Sequence, residues 1–118
     1  MVPDRQARIC DAIIAAVVAG ADMVVTTGGT GLGPRDVTPQ ATALLIDYEV
    51  PGLGELMRRA GSASTPMAAL SRGLAGVRGH SLILNVPGSV KGATESLEAV
   101  LPVLDHAIQL LHGHTKHG

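Results

Sequence analysis

The sequence predicts an α/β protein in which helices cover a mainly parallel sheet with one antiparallel strand. Three observations predict it. Segments with helical spacing alternate with short β-branched runs along the chain. The apolar residues are almost all Ala, Val, Ile, Leu and Met, with one Tyr and no Phe or Trp, which suits buried strands covered by helices. Two apolar strand candidates each end in a Gly-rich or Pro-Gly-Ser turn that leads into a helix.

Taken in order, Pro3-Asp4 opens the first helix, with Asp4 as its expected cap. Ile9, Ile13 and Val17 keep helical spacing, and Gly20 closes the helix. Cys10 is expected at the edge of the core, since no partner that would make it a nucleophile is evident. Asp22 to Thr27 reads as a strand. Pro39 to about Glu49 reads as a second helix, with Ala41, Leu44, Leu45 and Tyr48 on its inner face, broken by Pro51-Gly52. Leu53 to Ala60 is expected to be a short third helix closed by Gly61, with Glu55, Arg58 and Arg59 on its solvated face. Thr65-Pro66 is a cap-plus-proline signal for a short helix through Leu70. Gly73–Val77 and His80–Val86 are separated only by Arg78-Gly79, so they should pair as an antiparallel hairpin. The second of these is strongly apolar and expected at the centre of the sheet. A last helix starts at about Ser89 or Val90, with Leu97, Val100, Leu101, Leu104, Ile108 and Leu111 as its stripe and Pro102 kinking or dividing it. The end of the chain, 112–118, carries His112, His114 and His117 and reads as a solvated, flexible tail rather than a metal site.

A length of 118 residues suits one domain with one core. A hydrophobic fraction of 46% against 16% charged residues marks a folded chain. The near absence of aromatics argues against single-strand nucleic-acid binding, and a net charge of -1 gives no field that would recruit nucleic acid or anionic lipid. A single cysteine excludes an internal disulfide, and no apolar run is long enough to span a bilayer. Cytoplasm is the expected compartment.

The chain is organised around residues 24–39. Val24 and Val25 end a buried strand, and Gly28, Gly29, Gly31 and Gly33 then remove side chains over six positions. Backbone N–H groups there can approach an anion closely. Thr38-Pro39 reads as a helix start with Thr38 as cap, so a positive helix end is delivered to the same place. Asp36 is the one carboxylate in the loop, a hard oxygen ligand suited to Mg²⁺ or to orienting a phosphate. Arg35 either pairs with phosphate or faces solvent. No Gly-Lys-[Ser/Thr] follows, which excludes a Walker A loop, and the glycine spacing does not match a dinucleotide fingerprint. A second strand-exit turn, Asn85 to Ser89, faces the first. There Asn85 can hydrogen-bond a heteroaromatic edge, and Ser89 can cap the last helix.

Thr26-Thr27-Gly28-Gly29-Thr30-Gly31 and Arg35-Asp36-Val37-Thr38-Pro39 resemble the signature of the MogA/MoaB family, the molybdopterin-binding fold shared with the Cnx1 and gephyrin G domains. The resemblance continues through Glu49-Val50-Pro51-Gly52-Leu53, Ser71-Arg72, Ala75-Gly76-Val77-Arg78-Gly79, Leu84-Asn85-Val86-Pro87-Gly88-Ser89 and Leu101-Pro102. It implies a three-layer α/β/α fold and a cytosolic homo-oligomer, most often a trimer. It implies that molybdopterin is bound and, in adenylyltransferase members, that its phosphate attacks the α-phosphorus of ATP with Mg²⁺. By match to the motif, Gly28, Gly29, Thr30 and Gly31 should cradle the ligand phosphate, with Thr27, Arg35 and Thr38 also among the ligand-binding residues. Asp36 should be the catalytic, metal-holding acid, and Asn85, Pro87, Gly88 and Ser89 should line the other wall. The family's leading strand, its Asp-x-Ser-Gly loop, and the helix and strand after that loop have no counterpart in this sequence. The resemblance implies that the acid of that loop helps with metal and nucleotide, and that acid is not among these 118 residues. Val90 stands where the family often has proline. Two functions stay open on this reading: an adenylyltransferase, and a module that binds molybdopterin without chemistry.

Overall fold

The computed structural model describes residues 4–113. Its elements are α1 (Asp4–Val18), β1 (Met23–Thr27), α2 (Thr38–Leu45), β2 (Tyr48–Glu49), α3 (Pro51–Ser62), a 3₁₀ helix (Pro66–Leu70), β3 (Ala75–Arg78), β4 (Ser81–Val86) and α4 (Val90–Leu111). The four strands form one sheet in the order β1-β4-β3-β2. β1 pairs parallel with β4, while β3 pairs antiparallel with both β4 and β2. Three strands therefore run one way and β3 alone runs against them, as the sequence predicts.

β4 organises the packing. All six of its residues are buried, and alternation sends them to two faces. Leu82, Leu84 and Val86 join Leu53 and Met57 of α3 and Val100 and Leu104 of α4 in the main core. On the opposite face Asn85 meets Thr42 of α2, and α1 packs against α2. The result is the three-layer α/β/α arrangement. Burying each of these Leu, Ile or Val side chains contributes about 1.5–3 kcal/mol.

The second helix is shorter than its sequence predicts. It ends at Leu45, and Ile46 turns extended (φ -76, ψ 144). Asp47 N–H then donates to Val77 O at 2.6 Å and Val50 N–H to Ala75 O at 2.8 Å, which draws Tyr48-Glu49 into β2. Leu44 and Tyr48 are accordingly 60% and 55% exposed rather than on an inner face. Alternation of Ile46, Tyr48 and Val50 was the available signal, and the free edge of β3 decided the contest. Gly76 permits the approach, because a Cβ there would lie 2.7 Å from two Ile46 carbons.

Other boundaries move for local reasons. Pro51 starts α3 at its first turn instead of only breaking the helix before it. α2 has Val37 at its N-cap with no side-chain cap bond, so Thr38 is the first helical residue and not the cap. The hairpin turn is Gly79-His80, with Gly79 at φ +60. Pro102 does not divide the last helix, which runs unbroken from Val90 to Leu111. Val100 and Leu104 of its predicted stripe are buried, but Leu101 is 60% exposed. Thr65 caps the 3₁₀ helix as expected, its Oγ1 accepting from Met67 N–H at 3.2 Å. Cys10 is half-buried, with Sγ 3.6 Å from Ala41 O.

Candidate functional site

The parallel pairing of Thr27 with Val86 brings the two strand exits side by side. Gly28 N–H donates to Val86 O at 2.9 Å and extends the ladder by one bond. The chain then turns through Gly28 (φ +87) and Gly29 (φ +70), conformations that suit glycine. The two exits touch backbone to backbone: a Cβ on Gly88 would lie 3.2 Å from the Gly28 Cα. The turn expected to face the glycine loop thus abuts it directly at Gly28 and Gly88, and glycines on both sides allow the contact.

Thr38 buttresses the loop from beneath. Its N–H donates to Gly29 O at 3.2 Å, and its side chain occupies the space a Gly29 Cβ would need. Asp36 folds back so that Oδ2 accepts the Gly33 N–H at 3.0 Å. A Cβ on Gly31 or Gly33 would lie 2.9 or 3.0 Å from that oxygen. The glycines thus seat the carboxylate and fix its direction.

Arg72 straps the loop to the body of the protein. Its backbone N–H donates to Thr30 O at 2.7 Å. Its guanidinium donates to Gly31 O at 2.8 Å, to Asp36 O at 2.5 Å and to Gln40 Oε1 at 3.2 Å. A rigid fork of donors is what spans several carbonyls at once. Residue-level reasoning missed this role, because Arg72 lies 36 residues beyond Asp36 and no spacing rule joins them.

Asn85 is 2% exposed. Its Nδ2 donates to Thr26 Oγ1 and Thr42 Oγ1, both at 2.9 Å, and its Oδ1 accepts Leu74 N–H at 3.2 Å. Both amide hydrogens are committed to holding β1, α2 and the approach to β3 together. Ser89 caps α4 as expected, its Oγ accepting Gly92 N–H at 3.0 Å.

The expected site residues sort onto two sides of the loop. Thr30, Gly31, Asn85, Pro87 and Ser89 line a cavity of about 270 Å³, bounded by α3, the 3₁₀ helix and the start of α4. Thr27, Gly28, Gly29, Arg35 and Thr38 line a more open groove of about 760 Å³, together with Arg5 and Arg8 of α1. Asp36 sits at the base of the loop, and Gly88 backs Gly28. Arg58, expected to face solvent, is instead half-buried, donates to Gly73 O at 2.7 Å and lines the cavity. Gly54, one turn earlier, leaves room for it, since a Cβ there would lie 3.1 Å from Arg58 Nη2. Glu55 and Arg59 are exposed as expected.

Among the described residues no three His, Cys, Asp or Glu side chains gather in a metal-holding group. Asp36 therefore offers one carboxylate, a donor set that fits Mg²⁺ only where phosphates and water complete the shell. His112 lies at the other end of the sheet, with Nε2 2.7 Å from Asp22 Oδ1. His114 and His117 lie outside the described residues, as does the rest of the expected tail beyond Gly113. No helix among the described residues is long and apolar enough to cross a membrane.

Residues 1–106 match the family model described as a probable molybdopterin binding domain. The chain belongs to that family. It is 49% identical over 92 residues to the molybdopterin adenylyltransferase of Helicobacter pylori, covering 78% of this chain and 52% of that protein. It is 42% identical over 112 residues to a molybdenum cofactor biosynthesis bifunctional protein of Synechococcus elongatus, covering 95% of this chain and 35% of that protein. The chain thus spans about half the length of the Helicobacter protein and a third of the other. Among solved structures it resembles the molybdopterin biosynthesis enzyme MoaB of Thermus thermophilus, with 62% identity and a TM-score of 0.85 over 95% of this chain and 71% of that one. It also resembles the Mog protein of Mycobacterium ulcerans, with 40% identity and a TM-score of 0.87 over 90% of this chain and 69% of that one. The α/β/α layers described above are therefore the fold of this molybdopterin-binding family.

Proposed function

We propose that the chain binds molybdopterin in the cavity beside the glycine loop and takes part in its Mg²⁺-dependent adenylylation with ATP. The observation that carries this reading is the seated carboxylate: Asp36 is held by the glycine loop itself, its Oδ2 accepting the Gly33 N–H at the base of the loop. On this reading, Thr30, Gly31 and the loop N–H groups hold the terminal phosphate of the pterin. Asp36 would be the protein ligand for Mg²⁺, which would supply charge neutralisation on the nucleotide phosphates. A phosphate oxygen of molybdopterin attacks the α-phosphorus of ATP. The bond from that phosphorus to the bridging oxygen breaks, and pyrophosphate leaves with the electron pair. On this reading Arg35, which lines the groove with Thr27 and Thr38, would be the cation that meets departing phosphate. The same reading carries a cytoplasmic homo-oligomer, a trimer, whose size light scattering measures.

Pyrophosphate release from ATP and molybdopterin tests it. Asp36→Asn keeps the acceptor that binds Gly33 N–H, and should lower release at least about a hundredfold while leaving pterin affinity within a few fold. Undiminished release would remove Asp36 from the reaction. One observation favours a second reading, binding without chemistry: Asp36 is the only carboxylate in the loop. That reading predicts thermal stabilisation by the pterin with no pyrophosphate released.

A further inference from the structure

The cavity holds two unlike charges that do not meet. Arg58 of α3 and Glu95 of α4 both line it, among Met57, Met67, Ala68 and Leu70. Yet they form no ion pair. The His112–Asp22 salt bridge lies at the far end of the sheet and involves neither. Opposite charges bordering a largely apolar space would normally close on each other. Here each is held by its own side. Arg58 is tethered to Gly73 O by one Nη1 hydrogen at 2.7 Å, leaving its other guanidinium hydrogens available. Glu95 accepts a hydrogen bond from Ser64 Oγ on Oε2. A carboxylate has about four acceptor sites, so both its oxygens retain capacity.

A carboxylate and a guanidinium that border one small, largely apolar cavity without pairing match a particular ligand edge. It is a flat ring presenting a ring N–H and an exocyclic amino group next to a carbonyl. The carboxylate accepts the two N–H groups side by side, and the guanidinium donates to the carbonyl. The methionines and Leu70 supply apolar, polarizable surface for the ring faces. Pterins and guanine share this amino-pyrimidinone edge; adenine and a pteridine with a carbonyl in place of the amino group (lumazine) do not.

We propose that Glu95 and Arg58 form the edge-reading subsite of the cavity, selecting an amino-pyrimidinone ring while the glycine loop holds the phosphate. This rests on the reading of the cavity as the pterin site. It assigns specificity to residues that the sequence placed on the surface or left without a role. Ser64 and Gly54 become positioning residues: Ser64 orients the Glu95 carboxylate, and Gly54 leaves the space in which Arg58 lies.

Calorimetry with phosphorylated hydroxymethylpterin, its lumazine counterpart and GMP tests the proposal. The wild-type chain should prefer the pterin over the lumazine by about tenfold to a hundredfold, the range for losing a hydrogen bond to a charged group. Glu95→Gln should weaken pterin binding by a similar factor, leave lumazine binding within about twofold and so erase most of the preference. Arg58→Lys should weaken pterin and lumazine alike, since both keep the carbonyl. Thermal melts of both variants within a few degrees of wild type exclude misfolding as the cause. Tight GMP binding that Glu95→Gln also abolishes would uphold the edge reader and make guanine its occupant. Equal wild-type affinity for pterin and lumazine, or a preference that survives Glu95→Gln, would overturn the subsite and leave the cavity reading standing. Failure of the wild type to bind any phosphorylated pteridine would overturn both.

Discussion

Gly29 is where the loop geometry makes its sharpest demand. It sits at φ +70, and a Cβ built on it would lie 2.3 Å from Thr38 Oγ1 and 3.3 Å from Thr38 Cβ. Thr38 cannot swing away freely, because it is 5% exposed and its N–H is bonded back to Gly29 O. Gly29→Ala therefore meets two penalties. An L-residue in the left-handed region costs roughly 1–2 kcal/mol. Forcing a methyl group into filled space adds about 1–3 kcal/mol. The sum, roughly 2–5 kcal/mol, is a large part of a domain's total stability. At about 4 °C per kcal/mol for a domain of this size, the melting temperature should fall by roughly 8–20 °C. Gly20 is the internal control: it has φ +92 but nothing within 4 Å of its Cβ position. Gly20→Ala should therefore show only the backbone penalty, roughly 4–8 °C. Thermal unfolding by circular dichroism reads both. In a Thr38→Ala background the extra penalty at Gly29 should shrink toward the Gly20 value, a coupling of about 1–3 kcal/mol. If Gly29→Ala melts within a few degrees of Gly20→Ala, the loop is not buttressed by Thr38 and the account of its shape is wrong.

Two further expectations follow from the same packing. Arg72→Lys keeps the charge but loses the fork that reaches Gly31 O, Asp36 O and Gln40. It should destabilise by about 1–3 kcal/mol in urea titration and speed hydrogen exchange at the Gly33 amide, and unchanged exchange there would show that the strap does not order the loop. The Cys10 thiol is pushed up, first by burial and second by the nearby Asp11 carboxylate. A raised thiol keeps its proton longer in the folded chain. Its contribution to stability is present below the unfolded thiol's range and is lost as pH rises through the folded value. Alkylation of Cys10 in mildly alkaline buffer should therefore be slower in the folded chain than in urea, and equal rates would contradict the burial assigned to it.

Thr38 shows how a correct functional reading can rest on an imperfect structural one. The hydroxyl before Pro39 looked like a helix cap, but the helix begins one residue earlier and the cap position is Val37. Thr38 still belongs to the loop, as its buttress rather than as a helix cap. Tyr48-Glu49 shows a limit of a different kind. A helical pattern and a strand pattern overlap over 46–50, and only the open edge of β3 resolves them. Arg58 shows a third. Charge at an exposed-looking helical position says nothing of a carbonyl at Gly73 waiting across the cavity.

By itself the sequence determined the alternation of helix and strand, the opposed direction of β3 and the placing of both glycine-bearing turns at strand exits. It also marked Asp36 as the loop's acid. These depend on local periodicity, on glycine and proline conformations and on a turn of two residues, all written in contiguous stretches of chain. The tertiary structure alone decided what the loop faces. It set Gly28 against Gly88, strapped Gly31 and Asp36 to Arg72, committed the Asn85 amide to Thr26 and Thr42, and opened separate spaces on the two sides of the loop. Those contacts join residues 36 to 60 positions apart. Their partners are selected by the order of strands in the sheet, which no local spacing encodes.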